Sequence, residues 1–435
     1  MQKLSPTLSD LKLRGSYGVL GNDGIGNYTW QTTLNPNAGY VFGRDQGFAG
    51  AVVPSNLPNE GLLWEEVQQL DIGLDIGLFN NRLLLNADYY VKTTTNMLLR
   101  ADVPRSSGTN QITLNAGEVR NRGLELAAQY RHSEGPWQYQ IGANLTTIDN
   151  EVISLGDNDA IASGSWGQQA GALRKLTDVG QPIGSFYGYQ VAGIFQDFEQ
   201  IRNAALPVGL SPFDEEGNLL TGEDLNGKVM PGDLIYRDIN GEDENGELTG
   251  RPDGIIDESD RTFLGSPIPN LVYGFDASVS YRGFDFYVLL QGVSGNDLFS
   301  ETKFTLEGYH RAYNQGVAVL DRWTESNPST TVPRAIPSTF NYNTRVSSRW
   351  IEDGSYLRVK NVQLGYTLPT PLQDRLSVSN ARVYVSAQNL FTFTDYLGFD
   401  PEIGSPSNRE IDSNGIDGVN YPQARTFLVG IKFGF

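Results

Sequence analysis

Cysteine is missing from the 435 residues, which rules out a disulfide scaffold and any thiolate metal site. Histidine is down to two, His132 and His310, too far apart for a His-Glu-x-x-His zinc helix. Positive charge is scarce: 32 Lys and Arg stand against 51 Asp and Glu, a net charge of −19. Phosphate backbones would be repelled, so no nucleic-acid partner is expected. Long apolar runs are missing too, and no window approaches the 18 or more residues that a membrane-spanning helix needs. The opening MQKLSPTLSDLKLRG has no apolar core, so it is not a secretory signal. If the protein is exported, the signal lies upstream, and a carboxy-terminal piece of a longer protein is expected. A nucleophile elbow and a phosphate-binding GxxxxGK[ST] loop are also missing, and Gly21–Gly26 has no βαβ surround. No catalytic residues and no enzyme activity are expected.

What is present is a chain built for strands and turns. Glycine (49), tyrosine (21) and phenylalanine (20) are abundant, hydrophobic residues make up 39%, and mean hydropathy is −0.34. The last ten residues set the pattern. Phe427, Val429, Ile431, Phe433 and Phe435 form one row at period two, and Leu428, Gly430, Lys432 and Gly434 form the other. The same alternation recurs. Leu70, Ile72, Leu74, Ile76 and Leu78 are followed across Asn80-Asn81 by Leu83, Leu85, Ala87, Tyr89 and Val91. Leu124 to Tyr130 and Trp137 to Leu145 flank Gly135-Pro136, and Leu271 to Tyr281 and Phe284 to Leu290 flank Arg282-Gly283. With Leu11 to Val19, Val362 to Leu368 and Val383 to Ala387, about ten strands are expected, and others around 97–103 and 186–195. The apolar rows carry no charge, as a lipid-facing row requires, although the core row of a soluble sandwich would also be clean.

The connections separate those two readings. Short links (80–81, 132–136, 282–283, 370–378) alternate with long polar ones (21–63, 94–117, 147–269, 293–355, 392–424). In an up-and-down barrel this puts every short turn at one end and every long loop at the other, as in outer-membrane barrels. A Greek-key sandwich has no reason to show it. The expected fold is therefore all-β: an antiparallel up-and-down transmembrane β-barrel with short periplasmic turns and long extracellular loops. Trp64, Tyr90, Tyr130, Trp137, Tyr281 and Tyr366, near the strand ends, are candidates for aromatic girdles. Ten strands leave two open edges, which lipid does not tolerate, so the barrel is incomplete in this chain.

The residues also resemble a known family, the TonB-dependent outer-membrane receptors of the SusC/RagA type. The matching segments include Leu11–Gly21, Trp64–Leu78, Asn121–Glu125, Ser185–Gln196, Pro231–Asp260, Asp321–Pro328, Asp353–Pro369, Val383–Glu402 and Tyr421–Arg425, with the terminal Phe435. They run from end to end and are specific together. The resemblance implies a 22-stranded barrel, of which residues 1–435 would be the carboxy-terminal part with about 10–14 strands. The plug domain, the TonB-box segment and the first barrel strands are absent from the sequence. It further implies import of a bulky nutrient, an oligosaccharide or peptide ligand, across the outer membrane. The implied partners are a SusD-like surface lipoprotein that lids the barrel, outer-membrane lipid, and the TonB-ExbB-ExbD complex acting through the missing amino-terminal part. Alone, the fragment would not transport.

One local motif stands apart. Asp238-Ile-Asn240-Gly241 and Asp253-Gly254-Ile-Ile-Asp257-Glu-Ser-Asp260, read together, resemble an EF-hand-like calcium loop. Oxygen donors would come from Asp238, Asn240, Asp253, Asp257 and Asp260. Eleven residues, 242–252, interrupt it. They either bulge out and leave the donors converging or destroy the site, and a solvated acidic loop is the bland reading. Asp71 and Asp75 share a strand face, which reads as a polar lumen wall rather than acid–base chemistry. Loop aromatics Trp30, Tyr40, Trp166, Phe299 and Tyr309 are candidates for stacking on a sugar. From a different class, the alternative is a soluble, secreted, calcium-stabilised β-rich binding protein or adhesin. An outer-membrane barrel hydrolase is a third reading, disfavoured by the missing catalytic constellation.

Overall fold

The computed structural model describes residues 7–25, 27–54, 56–102, 111–156, 160–163, 174–309, 313–336, 342–403, 414–418 and 420–435. Ten strands run in chain order through one antiparallel sheet. They are β1 (Leu8–Asn22), β2 (Glu65–Leu78), β3 (Leu83–Asp102), β4 (Gln111–His132) and β5 (Trp137–Thr147), then β6 (Leu271–Tyr281), β7 (Phe284–Ser294), β8 (Tyr356–Thr367), β9 (Asn380–Gln388) and β10 (Thr426–Gly434). Each pairs with its sequence neighbour. Two short strands, Asp149–Ser154 and Thr392–Thr394, add to β4 and β8. Among the described residues, β1 pairs only with β2 and β10 only with β9, so the barrel is not closed.

The turns form where the backbone allows left-handed conformation. Phe79, Asn80 and Asn81 have φ of 54°, 58° and 62°, and Arg282 and Gly283 have 47° and 90°. The link between β8 and β9 holds a short helix, Thr370–Leu376, with Pro371 in its first turn. The link expected over 94–117 is largely sheet. β3 and β4 are 20 and 22 residues long and stay paired out to Asp102 and Gln111. About 9–11 residues suffice to cross a bilayer, so both stand well beyond it. The strands expected near 97–103 and 186–195 are thus the end of β3 and two short strands, Ser185–Tyr189 and Val191–Ile194, off the barrel sheet.

Register turns the alternation into two surfaces. One rung crosses all ten strands: Leu8, Leu78, Leu83, Tyr130, Ile141, Ala277, Val288, Val362, Ala387, Phe427. It contains no charged side chain. A rung on the opposite row reads Lys12, Asp75, Asn86, Ala127, Asn144, Gly274, Gln291, Arg358. The apolar rung starts near the short-turn end of β1 and finishes at the long-connection end of β10, so the strands are tilted, as barrel closure demands. Its face stays uncovered: Leu13, Ile72, Leu126, Phe286, Leu364, Val429 and Ile431 are all exposed. Among the described residues no second sheet packs on it, as a sandwich would require.

The buried core lies in the long connections, which the sequence reading treated as polar loops. Phe186, Phe299, Phe304, Trp350 and Ile416 are at most 1% exposed and form one cluster. They come from three connections, those after β5, β7 and β9. A second cluster gathers Tyr189, Ile194, Phe195, Ile201, Leu234, Tyr236 and Tyr342. The connections above the barrel are thus welded into a folded body by burial of apolar surface.

Candidate functional site: inner wall, roof and acidic loop

The inward row is a network of charges in register. Arg14 on β1 donates to both oxygens of Asp75 on β2 (2.9 and 2.8 Å) and to Asp88 on β3 (3.0 Å), and Asn86 donates to Asp75 (2.7 Å). Gly73 makes room for this, since a methyl there would strike the Asp88 carboxylate. Asp75 is therefore an ion-pair acceptor in a wet wall and not half of a catalytic pair with Asp71. Further round, Arg382 on β9 pairs with Asp285 on β7. Arg358 on β8, 2% exposed, holds Asp400 and Glu402 of the last long connection, and Lys360 takes Glu402 as well (2.7 Å). These pairs pin the connection to the wall.

The roof carries its own buried ions. Asp233 has no exposure and accepts from Arg334 (2.7 and 3.0 Å), Asn343 (3.1 Å) and the Met230 amide (2.8 Å). Burial pushes its carboxyl up, against the pull of Arg334. Arg174 lies 3.2 Å from Glu301, both buried, and Lys175 Nζ donates to the Asn414 carbonyl. Arg345 packs over the rings of Tyr189, Tyr236 and Tyr342.

The five donors of the expected calcium loop come together in one loop. The interrupting residues leave as a closed excursion, bridged at Glu242–Leu248, and Thr249 N returns to the Gly241 carbonyl at 2.8 Å. Their oxygens serve the backbone. Asp238 accepts from the amides of Asp253 (3.2 Å) and Gly254 (2.7 Å). Asp260, fully buried, accepts from Ile239, Asn240 and Asp257. Asp257 caps the turn Glu258–Asp260 in a reciprocal capping box. Asp253 accepts from Ile255, and Asn240 from Gly241 and Gly250. Both oxygens of Asp238 and of Asp260 are thereby turned to N–H groups. Among the described residues no group of three or more acidic or His side chains is placed to hold a metal ion.

A second acidic turn uses the same device, which the sequence reading missed. Phe213–Leu219 is bridged like Glu242–Leu248, and Asp214 accepts from Asn218 as Asp243 does from Asn245 and Glu247. These amides hold the Asp214 and Asp243 carboxyls below the usual range. The shared signal is Asp-Glu-x-Gly-x-Leu at the same spacing in both, legible once sought.

Of the loop aromatics, Trp30 and Tyr40 are exposed, Phe299 is core, Tyr309 is half-buried, and Trp166 lies outside the described residues. Among the girdle candidates, Trp137 stacks on Tyr281 at 4.2 Å and Tyr366 meets Phe284 at 4.5 Å, forming a band at the short-turn end. Tyr90 is a correction. It sits on the polar row beside Asp88 and its hydroxyl donates to the Thr147 carbonyl over Gly123, which spares it room.

A tilted antiparallel sheet, apolar outside and charged inside, with short turns at one end and a folded roof at the other, defines an outer-membrane β-barrel. Comparison with known proteins agrees. Residues 4–198 match the family model described as "TonB dependent receptor-like, beta-barrel". The chain is 33% identical, over its whole length, to TonB-dependent receptor P3 of Formosa agariphila. It is 26% identical over 98% of its length to TonB-dependent receptor SusC of Bacteroides thetaiotaomicron. It covers 40% and 38% of those two proteins. The solved RagAB peptide transporter superposes over 99% of the chain and 41% of the matched transporter chain, with a TM-score of 0.74 and 25% identity. Along its whole length the chain is similar to TonB-dependent receptors of the SusC/RagA type, spanning about two fifths of theirs, and its sheet is part of an outer-membrane β-barrel.

Proposed function

We propose that the intact protein imports a bulky nutrient, an oligosaccharide or a peptide, across the outer membrane, and that residues 1–435 are the later part of its barrel. A plug and the earlier strands would come from the rest of the protein. TonB with ExbB and ExbD would supply the energy through that part, and a SusD-like lipoprotein would close the mouth. The observation that carries the reading is the unbroken apolar rung over ten strands, backed by a charged inner row. Lipid outside and a wet lumen inside are what a transporter wall needs. The fused roof gives the mouth a built surface on which a lid can seat. The likeness to the RagAB peptide transporter supports import over the hydrolase reading.

The test is uptake by cells carrying the intact receptor. Growth on oligosaccharide or peptide as sole carbon source should require the receptor gene, TonB and a SusD-like lipoprotein. Growth unaffected by deletion of the receptor on every substrate tried would overturn the reading. The fragment alone should support none.

A further inference from the structure

At the short-turn end the outward row becomes a shelf of rings. Register places Trp137 on β5 beside Tyr281 on β6, Tyr281 beside Phe284 on β7, and Phe284 beside Tyr366 on β8. Trp137 stacks on Tyr281 at 4.2 Å and 22°, and Phe284 meets Tyr366 at 4.5 Å. All four belong to the same row as Val279, Phe286 and Leu364, the side of the sheet that meets hydrocarbon. Trp137 and Phe284 are more than half exposed, and Phe286 and Leu364 continue the exposed apolar surface one step deeper. A band of rings between an apolar wall and water is where lipid headgroups lie.

Arg282 sits at the edge of this shelf. Its guanidinium lies over the Tyr281 ring at 5.3 Å, which holds the cation with the outward row. The residue is exposed, and among the described residues no carboxylate is ion-paired with it. The nearest acid along β7, Asp285, belongs to the inner row and is committed to Arg382. The backbone at Arg282 is left-handed, with φ 47°, a conformation that glycine or asparagine adopts more readily. The turn after β2 fills the same conformation with Asn80 and Asn81. Strain kept at an exposed turn points to a use for the side chain. The links over 79–82, 133–136, 282–283 and 368–379 carry Arg82, Arg282 and Arg375 against Glu134 and Asp374. That is the reverse of the whole chain, with 32 cations and 51 acids. Arg82 is already paired with Glu134.

We propose that Arg282, with the Trp137–Tyr281 stack, forms a headgroup site for an anionic phospholipid of the periplasmic leaflet, of the phosphatidylglycerol kind. The inference stands on the barrel and not on the import reading. The planar guanidinium takes two oxygens of the lipid phosphate. Tyr281 beneath it holds the fork in place and shields one of its faces from water. The acyl chains run down over Val279, Phe286 and Leu364. Phosphatidylethanolamine brings its own ammonium to its phosphate and gains less from Arg282. The glycerol headgroup of phosphatidylglycerol leaves the phosphate charge unbalanced. One cation at an anionic membrane surface is worth about fivefold in binding.

The test uses the purified, delipidated full-length receptor in detergent and native mass spectrometry with equimolar phosphatidylglycerol and phosphatidylethanolamine. Phosphatidylglycerol is expected to be retained about fivefold over phosphatidylethanolamine. Arg282→Asn suits the left-handed turn, so the variant should keep a gel migration that changes on boiling while its retention ratio moves toward one. Equal retention of the two lipids by the unaltered receptor, which needs no variant to fold, overturns the proposal. So does a ratio that survives Arg282→Asn, which would put the selective site elsewhere. Millimolar inorganic phosphate should leave the bound lipid in place. Displacement by it would assign Arg282 to a soluble anion and also overturn the proposal. None of these outcomes touches the import reading, whose own failure would show as receptor-independent growth.

Discussion

Asp233 shows what a single buried charge does in the roof. Four donors converge on it, two of them from Arg334, whose side chain is 26% exposed. Asp233→Ala strands the guanidinium and Asn343, and is expected to cost about 2–4 kcal/mol, discounted for that exposure. Limited proteolysis of the intact receptor should then cut within 226–237 at a lower temperature than in the unaltered protein. Asp233→Asn, which keeps one acceptor, should cost less. The exposed turn at Asp243 reports on pH instead. Its carboxyl is held below the ordinary value by the Glu247 and Asn245 amides. Its stabilisation is therefore complete above the unfolded value, about 4, and lost as pH falls through the lower folded value. Hydrogen-exchange protection at Asn245 and Glu247, corrected for intrinsic rates, should hold from pH 7 to about 4 and fall below it. Asp243→Asn should abolish that pH dependence.

At the scale of elements, the rung predicts a sidedness. Val288 lies at the middle of β7 on the apolar rung. Val288→Arg is expected to destabilise the barrel by about 2–4 kcal/mol. Ser278→Arg, one residue from Ala277 on the inner row of β6, should cost well under half of that, since its charge enters water. Denaturant unfolding of the receptor in phospholipid vesicles, read by gel migration without boiling, separates the two. The acidic loop makes the opposite kind of prediction. A calcium site of 0.1 mM affinity would add about 2.7 kcal/mol at 10 mM metal. With the Asp238 and Asp260 oxygens committed to backbone amides, the thermal midpoint of the receptor should be the same in 10 mM calcium as in chelator. An upward shift that Asp253→Ala removes would restore the metal reading.

For the whole molecule, the free edges of β1 and β10 decide. Among the described residues each has strand partners on one side only, and the backbone N–H and C=O groups of its other edge are ones that hydrocarbon cannot hydrate. Residues 1–435 expressed alone should give no band whose migration changes on boiling, and co-refolding with the remainder of the receptor should produce one. A heat-modifiable band from the fragment by itself would mean that the edges find each other.

Much of this was legible before any coordinates. A strand's side chains alternate at every second residue, so Leu70 to Leu78 and Phe427 to Phe435 announce their apolar row locally, and Asn80-Asn81 and Arg282-Gly283 announce their turns. Those local signals sufficed for ten strands, their order and the sidedness of their connections. They misjudged Tyr90, whose row was plain but whose end-of-strand position suggested the girdle. Tertiary structure alone decided that Phe186, Phe299 and Ile416, from three separate polar-looking connections, share one core. It also decided that the oxygens of Asp238 and Asp260 face amides. The physical reason is range. Period and turn chemistry act between neighbours in the chain, whereas burial and charge pairing depend on which distant segments the folded chain brings together.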